Sequence, residues 1–449
     1  MSGDTIPVDF PFNVSQITIS SDPAPGEIYL TDFKYLNDQF GTFLMKLDNA
    51  GHVLFERRTQ LGAYDFTLQP NGDYTYFDTH TNKYYELDQN FVKVDSFSVT
   101  NTDYHELRVF KNGNYILLAT EIDTVDMSKI VSGGKPKALV TEYIIYEFGA
   151  DKKIIFEWHS LDHYQITDAI HENLQARTID AVHINSVDTD TDGNFIVSVR
   201  SLDEISKIDG KTGAFIWRLG GVHNEFTFTD KDTFDYQHDV RLLADGNITM
   251  FDNGNHRTTG LYSRGVEYGI DQSAKTLHKV WEFRHTPDIV TDAMGSVQRL
   301  PNGNTLIGWG LINRTVGLDS TALTEVKPDG TVALEITLPE NHFSYRVYKF
   351  LPAVKNVLPT GNNDLILEQN YPNPFSSWTI INFSTNEYGP LSLTVYDALG
   401  REVKTLFNGS VSVGEYSAKF DSENLPSGTY IFKLTTPAVS LSRMMILSK

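Results

Sequence analysis

Three histidines of this chain hold one place against a recurring turn. The turn has the form Asn/Asp-Gly-Asn/Asp and appears in PNGDYTYF, KNGNYILL, TDGNFIVS, ADGNITMF and PNGNTLIG, with glycines at Gly72, Gly113, Gly193, Gly246 and Gly303. His105 stands eight residues before Gly113 and His238 eight before Gly246, while His183 stands ten before Gly193, where the turn reads as two residues longer. The same place holds Tyr64 before Gly72 and Gly295 before Gly303. Scattered core histidines share no register, so the spacing predicts three imidazoles at the start of one kind of strand. An imidazole can act as nucleophile, general acid or general base near neutral pH. Arg200 closes the segment IVSVR, and the Gly-rich stretch FDNGNHRTTGLYSRG carries His256, Arg257 and Arg264. A guanidinium offers paired, charge-assisted hydrogen bonds to a planar or tetrahedral oxyanion. Together these residues point to a small anionic substrate. The plainer reading is a satisfied strand histidine and arginines paired with surface carboxylates.

The elements that would position them are strands. Helical periodicity is nearly absent, and short β-branched and aromatic runs end in Asp, Asn and Gly. Asn-Gly and Asp-Gly suit the positive φ of a tight hairpin turn. A second hairpin follows most of these turns, as in residues 143–158, 205–221, 266–283 and 323–338, and GTFLMKLDNAGHVLFE at 41–56 lacks its leading half. Two hairpins make four antiparallel strands, the unit of a propeller blade. The expected fold is all-β: a β-propeller of about six blades over 1–350, a linker at 351–364, and a small Ig-like β-sandwich at 365–449. In a propeller the innermost strands surround the channel, so the three histidines are expected to converge at one mouth.

Bulk composition narrows the partners. Across 449 residues, 37 Lys+Arg stand against 58 Asp+Glu, a net charge of −21. A field of that sign repels phosphate backbones, so nucleic acid is not an expected partner. The absence of cysteine excludes disulfides and thiol catalysis. No apolar run approaches the roughly 18–20 residues of a membrane helix. The opening MSGDTIPVDF has neither the basic start nor the apolar stretch of a signal peptide.

Two resemblances add to this. NYPNPF, LTVYDALGREVKTL, LPSGTYIFKL and the final SRMMILSK, within 365–449, resemble a type IX secretion C-terminal sorting domain. That implies the type IX machinery as partner, export through periplasm and outer membrane, and an extracellular or cell-surface location. A carbohydrate-binding sandwich is the alternative. Over roughly 100–350, the segments AVHINSVD, SKIDGKTGAFIWRLGG, YQHDVRLL, FDNGN, LPNGNTLIGWG and SYRVYKF resemble the arylsulfotransferase family of bacterial β-propellers. The family implies sulfuryl transfer from an aryl sulfate to a phenol through a sulfated histidine, without a cofactor. It points to His183, His238 and Arg257 as catalytic groups. His105, Arg200, His256 and Trp309 are assigned to substrate binding around them. The segment expected to hold the carrier histidine reads NTLIGWG, with Gly308 and Trp309 instead, and His105, His256 and His285 are the spare candidates. Without a nucleophile the two-step route fails, which leaves a direct transfer, another activity or a binding role. Three converging histidines could also hold a divalent ion in a lyase or hydrolase. No carboxylate joins them in the turn register, so the site is expected to be metal-free. A non-catalytic propeller that binds glycan or protein is the third reading.

Overall fold

In the computed structural model the chain divides into two compact units, Met1–Leu351 and Pro352–Lys449. The structure describes residues 16–34, 42–230, 232–258, 260–313, 321–339, 342–351, 365–385, 389–411, 414–422, 425–436 and 439–449. All but Leu351 of the expected 351–364 linker lies outside the described residues.

Among the described residues, the first unit contains six sheets of at least four antiparallel strands. Blade 2 is Ala63–Leu68, Tyr74–Asp78, Lys83–Leu87 and Lys93–Phe97. Blade 3 is Thr102–Val109, Tyr115–Val125, Ala138–Phe148 and Ile154–His159. Blade 4 is Ile184–Thr189, Phe195–Val199, Glu204–Ile208 and Phe215–Gly220. Blade 5 is His238–Leu242, Ile248–Asp252, Arg264–Asp271 and Thr276–Phe283. Blade 6 is Ser296–Arg299, Thr305–Gly308, Thr321–Val326 and Val332–Thr337, with Gln16–Ser20 added outside. Blade 1 takes Glu27–Lys34, Phe43–Leu47 and Val53–Arg58 from the front of the unit and Val347–Phe350 from its end. The half-copy at 41–56 is thus completed by strands 27–34 and 347–350, which closes the ring.

Six apolar cores hold the ring, one at each blade junction. Tyr29 and Leu44 of blade 1 pack with Tyr74 and Leu87 of blade 2, and Phe77 and Phe97 of blade 2 with Leu107 and Tyr115 of blade 3. Blades 3 and 4 share Ile116, Leu118, Phe195 and Val197, and blades 4 and 5 share Ile205, Trp217, Val240 and Met250. Phe251 joins blade 5 to Ile307 and Trp309 of blade 6, and Leu306 and Leu323 join blade 6 back to Ile28 and Leu47. Inner strands such as Phe195–Val199 are buried on both faces, so they read as continuous apolar runs rather than alternating ones.

All five predicted turn glycines have positive φ, between +81° and +96°. Each links the first and second strand of a blade, so the strand in front of the turn is the innermost one. Near its start this strand carries a bulge: pairing shifts between Tyr64 and Thr67, between Ile184 and Ser186, and between His238 and Arg241. Blade 3 shifts opposite Leu117 and Ala119. Asp65, His183 and Asp239 adopt φ of +54°, +54° and +53° there. Non-glycine residues in that region cost on the order of 1–3 kcal/mol each, and bulges of this kind re-aim side chains.

The second unit is a two-sheet sandwich. Leu365–Leu367, Trp378–Thr385 and Gly414–Asp421 form one sheet. Glu402–Val411, Gly389–Asp397, Gly428–Thr435 and Ser440–Leu447 form the other. Ile381, Phe383, Val395, Phe420 and Phe432 fill the space between them. No helix among the described residues is long and apolar enough to cross a membrane.

Candidate functional site at the channel mouth

His105 and His183 meet edge to face, with ring centroids 5.0 Å apart. His105 is stacked on Tyr104 at 4.1 Å and lies 6.0 Å from Tyr345 of the closing strand region. Each imidazole is braced by a carboxylate on Nδ1: Asp103 Oδ1 lies 2.6 Å from His105, and Asp180 Oδ2 lies 2.6 Å from His183. Asp103 also accepts the backbone N–H of His105 at 2.8 Å. Tyr143 donates its hydroxyl to Asp180 at 3.3 Å. His183 is the more open of the two, with its side chain 19% exposed against 4% for His105.

His238 is buried and fixed differently. Its Nδ1–H donates to Asn253 Oδ1 at 2.7 Å, and its Nε2 accepts the backbone N–H of Met294 at 3.2 Å, which defines a neutral ring. Burial, and then the positive charge of Arg200, hold its pKa well below the ordinary histidine value. Burial also lowers His183, although Asp180 works against that. Burial alone would raise Asp180, but His183 beside it keeps this carboxyl below its usual range.

Arg200 completes the cluster. Its backbone N–H donates to the His183 carbonyl at 2.9 Å, so the strand pair itself sets it beside the imidazole. The guanidinium lies 4.0 Å above the Tyr236 ring and reaches the Asp292 carbonyl at 3.4 Å. Its Nε is buried without a hydrogen-bond partner, and no described carboxylate pairs with it. Burial lowers its pKa from the ordinary arginine value.

Of the other predicted residues, His256 adjoins the cluster, edge to face with the Tyr236 ring at 4.4 Å, and the rest fall elsewhere. Arg257 is ion-paired with Asp252 and lies 4.4 Å from the Tyr262 ring. Arg264 shares Asp252 and adds Asp232 and Glu282, deep in blade 5. His256 stacks on His171 at 3.9 Å in the adjoining loops, and burial lowers its pKa. Trp309 is fully buried, donates Nε1–H to Thr324 at 2.9 Å and packs on Phe251, so it belongs to a core and lines nothing. His285 pairs with Glu335 beside Trp309. At Gly308 a Cβ would lie 2.7 Å from Ser296 Oγ and 3.1 Å from Val347, so no histidine fits there without displacing the closing strand. Gly295 is equally closed, with Phe251 carbons 2.3 Å from its Cβ position. Among the described residues, no group of three or more His, Asp or Glu is arranged to hold a metal ion.

One residue further along the inner strands lies a paired-charge layer that sequence reasoning missed. Arg346 reaches Asp65 of blade 2 at 3.0 Å, the Asn185 carbonyl of blade 4 at 2.7 Å, Glu106 of blade 3 at 3.5 Å and Asp239 of blade 5 at 3.4 Å. Arg241 adds bonds to Glu106 and Asp239, both 2.9 Å, and Tyr348 donates to Asp239 at 2.9 Å. One guanidinium touching four other blades crosses the channel, so this layer is its floor. Asp65 and Glu106 directly follow the register residues Tyr64 and His105, and Arg346 sits in SYRVYKF. The signal was present as acidic and basic residues one place after the register position.

Fold and site together define a β-propeller with a histidine and arginine cluster over a closed floor. Residues 71–327, more than half the chain, match the arylsulfotransferase (ASST) family, and the chain belongs to it. Residues 369–448 match the secretion-system C-terminal sorting domain, so the protein is exported to the cell surface or extracellular space. Arylsulfate sulfotransferase AssT of Escherichia coli O6:H1 is 31% identical over 99 residues, which is 19% of this chain and 17% of that protein. The chain thus matches under a fifth of that relative's length. A Bacteroides caccae protein of unknown function, covering 73% of this chain and 99% of its own, gives a TM-score of 0.46 at 10% identity. Staphylococcus aureus virginiamycin B lyase, covering 94% of this chain and 100% of its own, gives 0.33 at 8% identity.

Proposed function

We propose that the protein transfers a sulfuryl group from an aryl sulfate to a phenolic acceptor at this mouth. Arg200 carries the reading: a half-buried arginine whose Nε is buried without a hydrogen-bond partner and which forms no ion pair among the described residues, set beside the imidazole cluster in a chain of net charge −21. Glu172 and Asp180 offset part of its desolvation from a distance, and an anion bound directly to the open Nε side would complete the site. Two sulfuryl oxygens suit the guanidinium fork, and Tyr104, half-buried against His105, offers aromatic surface for an aryl ring. His238, neutral and rigidly held, faces the same charge. Family membership and the relative named arylsulfate sulfotransferase agree with this class of chemistry. The chain's own groups suffice for it without a cofactor, and the C-terminal unit would engage the type IX secretion machinery.

The test is nitrophenol release from p-nitrophenyl sulfate with phenol as acceptor. Removing a donor to the sulfuryl oxygens, as in Arg200→Ala, should cost about 10²–10³ in turnover. His238→Ala should fall in the same direction. Arg257→Ala should act mainly on stability, because its partner is Asp252. Equal release by wild type, Arg200→Ala and His238→Ala would place any activity elsewhere.

A further inference from the structure

The mouth holds two carboxylate-braced imidazoles side by side, and the reading above gives neither of them a proton to move. Nδ1 of His105 is held by Asp103 and Nδ1 of His183 by Asp180, both at 2.6 Å. In each ring Nε2 is therefore the nitrogen left for chemistry. The rings are 5.0 Å apart, and Arg200 follows His183 across the strand pair. Gly308 and Gly295 have no room for a further imidazole.

We infer that His105 and His183 are an acid–base pair that carries out a direct, one-step transfer, with Asp103 and Asp180 as positioning residues; this rests on the sulfuryl-transfer reading. Transfer between two oxygens needs one proton removed and one supplied. The two braces are alike, so access assigns the roles: His183, the more open ring, meets the incoming acceptor and is the base. His105, the less open ring of the pair, is left to the donor oxygen and is the acid. The acceptor hydroxyl gives its proton to His183 Nε2 as its oxygen forms the new S–O bond. The bond from sulfur to the donor's phenolic oxygen breaks, and its electron pair stays on that oxygen. The phenolate then takes the proton from His105 Nε2. The products are the new aryl sulfate and the free phenol. His183 is left protonated and His105 neutral; once the products leave, the half-open His183 gives its proton to solvent and His105 takes one up, which restores the starting state. No bond from sulfur to nitrogen forms. The closed floor fits this order, because donor and acceptor must share one mouth.

The experiment compares two donors on the same sample of full-length protein, so that the folded fraction cancels. Phenyl sulfate has a poor leaving group and needs the acid; p-nitrophenyl sulfate hardly does. His105→Gln should lose about 100-fold on phenyl sulfate and no more than about 10-fold on p-nitrophenyl sulfate. Asp103→Asn keeps an acceptor for Nδ1–H but removes the charge, so it should lose more on phenyl sulfate than on p-nitrophenyl sulfate, in the same sense as His105→Gln. Equal losses on both donors would reduce His105 to a structural role and overturn the inference. So would a one-sulfuryl mass gain on the chain after incubation with donor alone, since that is a covalent carrier. A wild type that releases no phenol from either donor would overturn the sulfuryl-transfer reading itself.

Discussion

The imidazole layer and the arginine–carboxylate layer sit one residue apart on the same strands, yet they are built in opposite ways. Tyr64 is followed by Asp65, His105 by Glu106, His238 by Asp239 and Tyr345 by Arg346. Successive residues of a regular strand face opposite sides. Both layers reach the channel because the bulges and the positive φ of Asp65 and Asp239 break that alternation. Below, Asp65, Glu106 and Asp239 (three negative) surround Arg241 and Arg346 (two positive), and each charge has a partner within 3.5 Å. Above, Arg200 has no described carboxylate and two imidazoles keep Nε2 unused by their braces. A ring that pairs its own charges in one layer leaves the next free to meet a ligand's charge. The difference teaches that the floor is a structural element and the mouth a chemical one, although their residues are neighbours in sequence.

The largest test breaks the floor. Arg346→Met removes the cation that spans four blades and leaves Asp65, Glu106 and Asp239 buried with Arg241 alone. Breaking a buried ion pair from one side costs about 3–5 kcal/mol, and urea unfolding should show a loss of that size. Adding Asp65→Leu should recover part of it, since replacing both partners avoids the orphaned charge. A loss under about 1 kcal/mol would mean that the layer is hydrated and not a floor.

Much of this was legible in the sequence, for definite reasons. The Asn-Gly and Asp-Gly turns require positive φ, so Gly72, Gly113, Gly193, Gly246 and Gly303 marked one strand pair in five blades. The eight-residue distance to His105 and His238 followed from the shared inner strand, but the turn at Gly193 closes on Asp190 as the other turns close and is not longer, so His183 stands two residues ahead of that register, just before strand Ile184–Thr189. Blade 1 read as incomplete because its inner strand, Val347–Phe350, lies about 300 residues from its neighbours, and pairing over that separation leaves no local pattern. Arg257 drew attention over Arg200 because motif matching sees residue type and cannot see Asp252 beside it. Trp309 likewise stands in a family segment, but its position faces a core. Asp103 and Asp180 lie two and three residues before their histidines. Only the bulged backbone turns those short spacings into braces.

A smaller test sharpens the comparison through pH. His183 and His238 have folded pKa values below the roughly 6.5 of an unfolded histidine. As pH falls below about 6.5, the unfolded chain takes up protons that the fold refuses, so stability declines by at most about 1.4 kcal/mol per pH unit for each. Asp65 works the other way. Burial raises it to about 6, so its contribution is lost as pH rises from about 3.9 to about 6. Just below pH 6.5 the histidines should therefore dominate. Urea midpoints should fall on acidification in wild type and fall less in His238→Gln. An unchanged slope in the variant would show that His238 titrates in the fold as it does in solution.

The smallest expected effect is on the comparison's independence from the C-terminal unit. Each of the six junction cores draws its residues from within Met1–Leu351, and the sandwich fills its own interior with residues from Leu365 to Leu447. A chain ending at Leu351 should keep the urea midpoint of the propeller transition to within about 0.5 kcal/mol, the scale of changes that touch no core. It should also keep turnover on p-nitrophenyl sulfate. Limited proteolysis of the full chain within 352–364 should release the same fragment. If truncation lowers the midpoint by several times that amount, the sandwich contributes to propeller stability. The charge layers could then no longer be treated as the property of one closed ring.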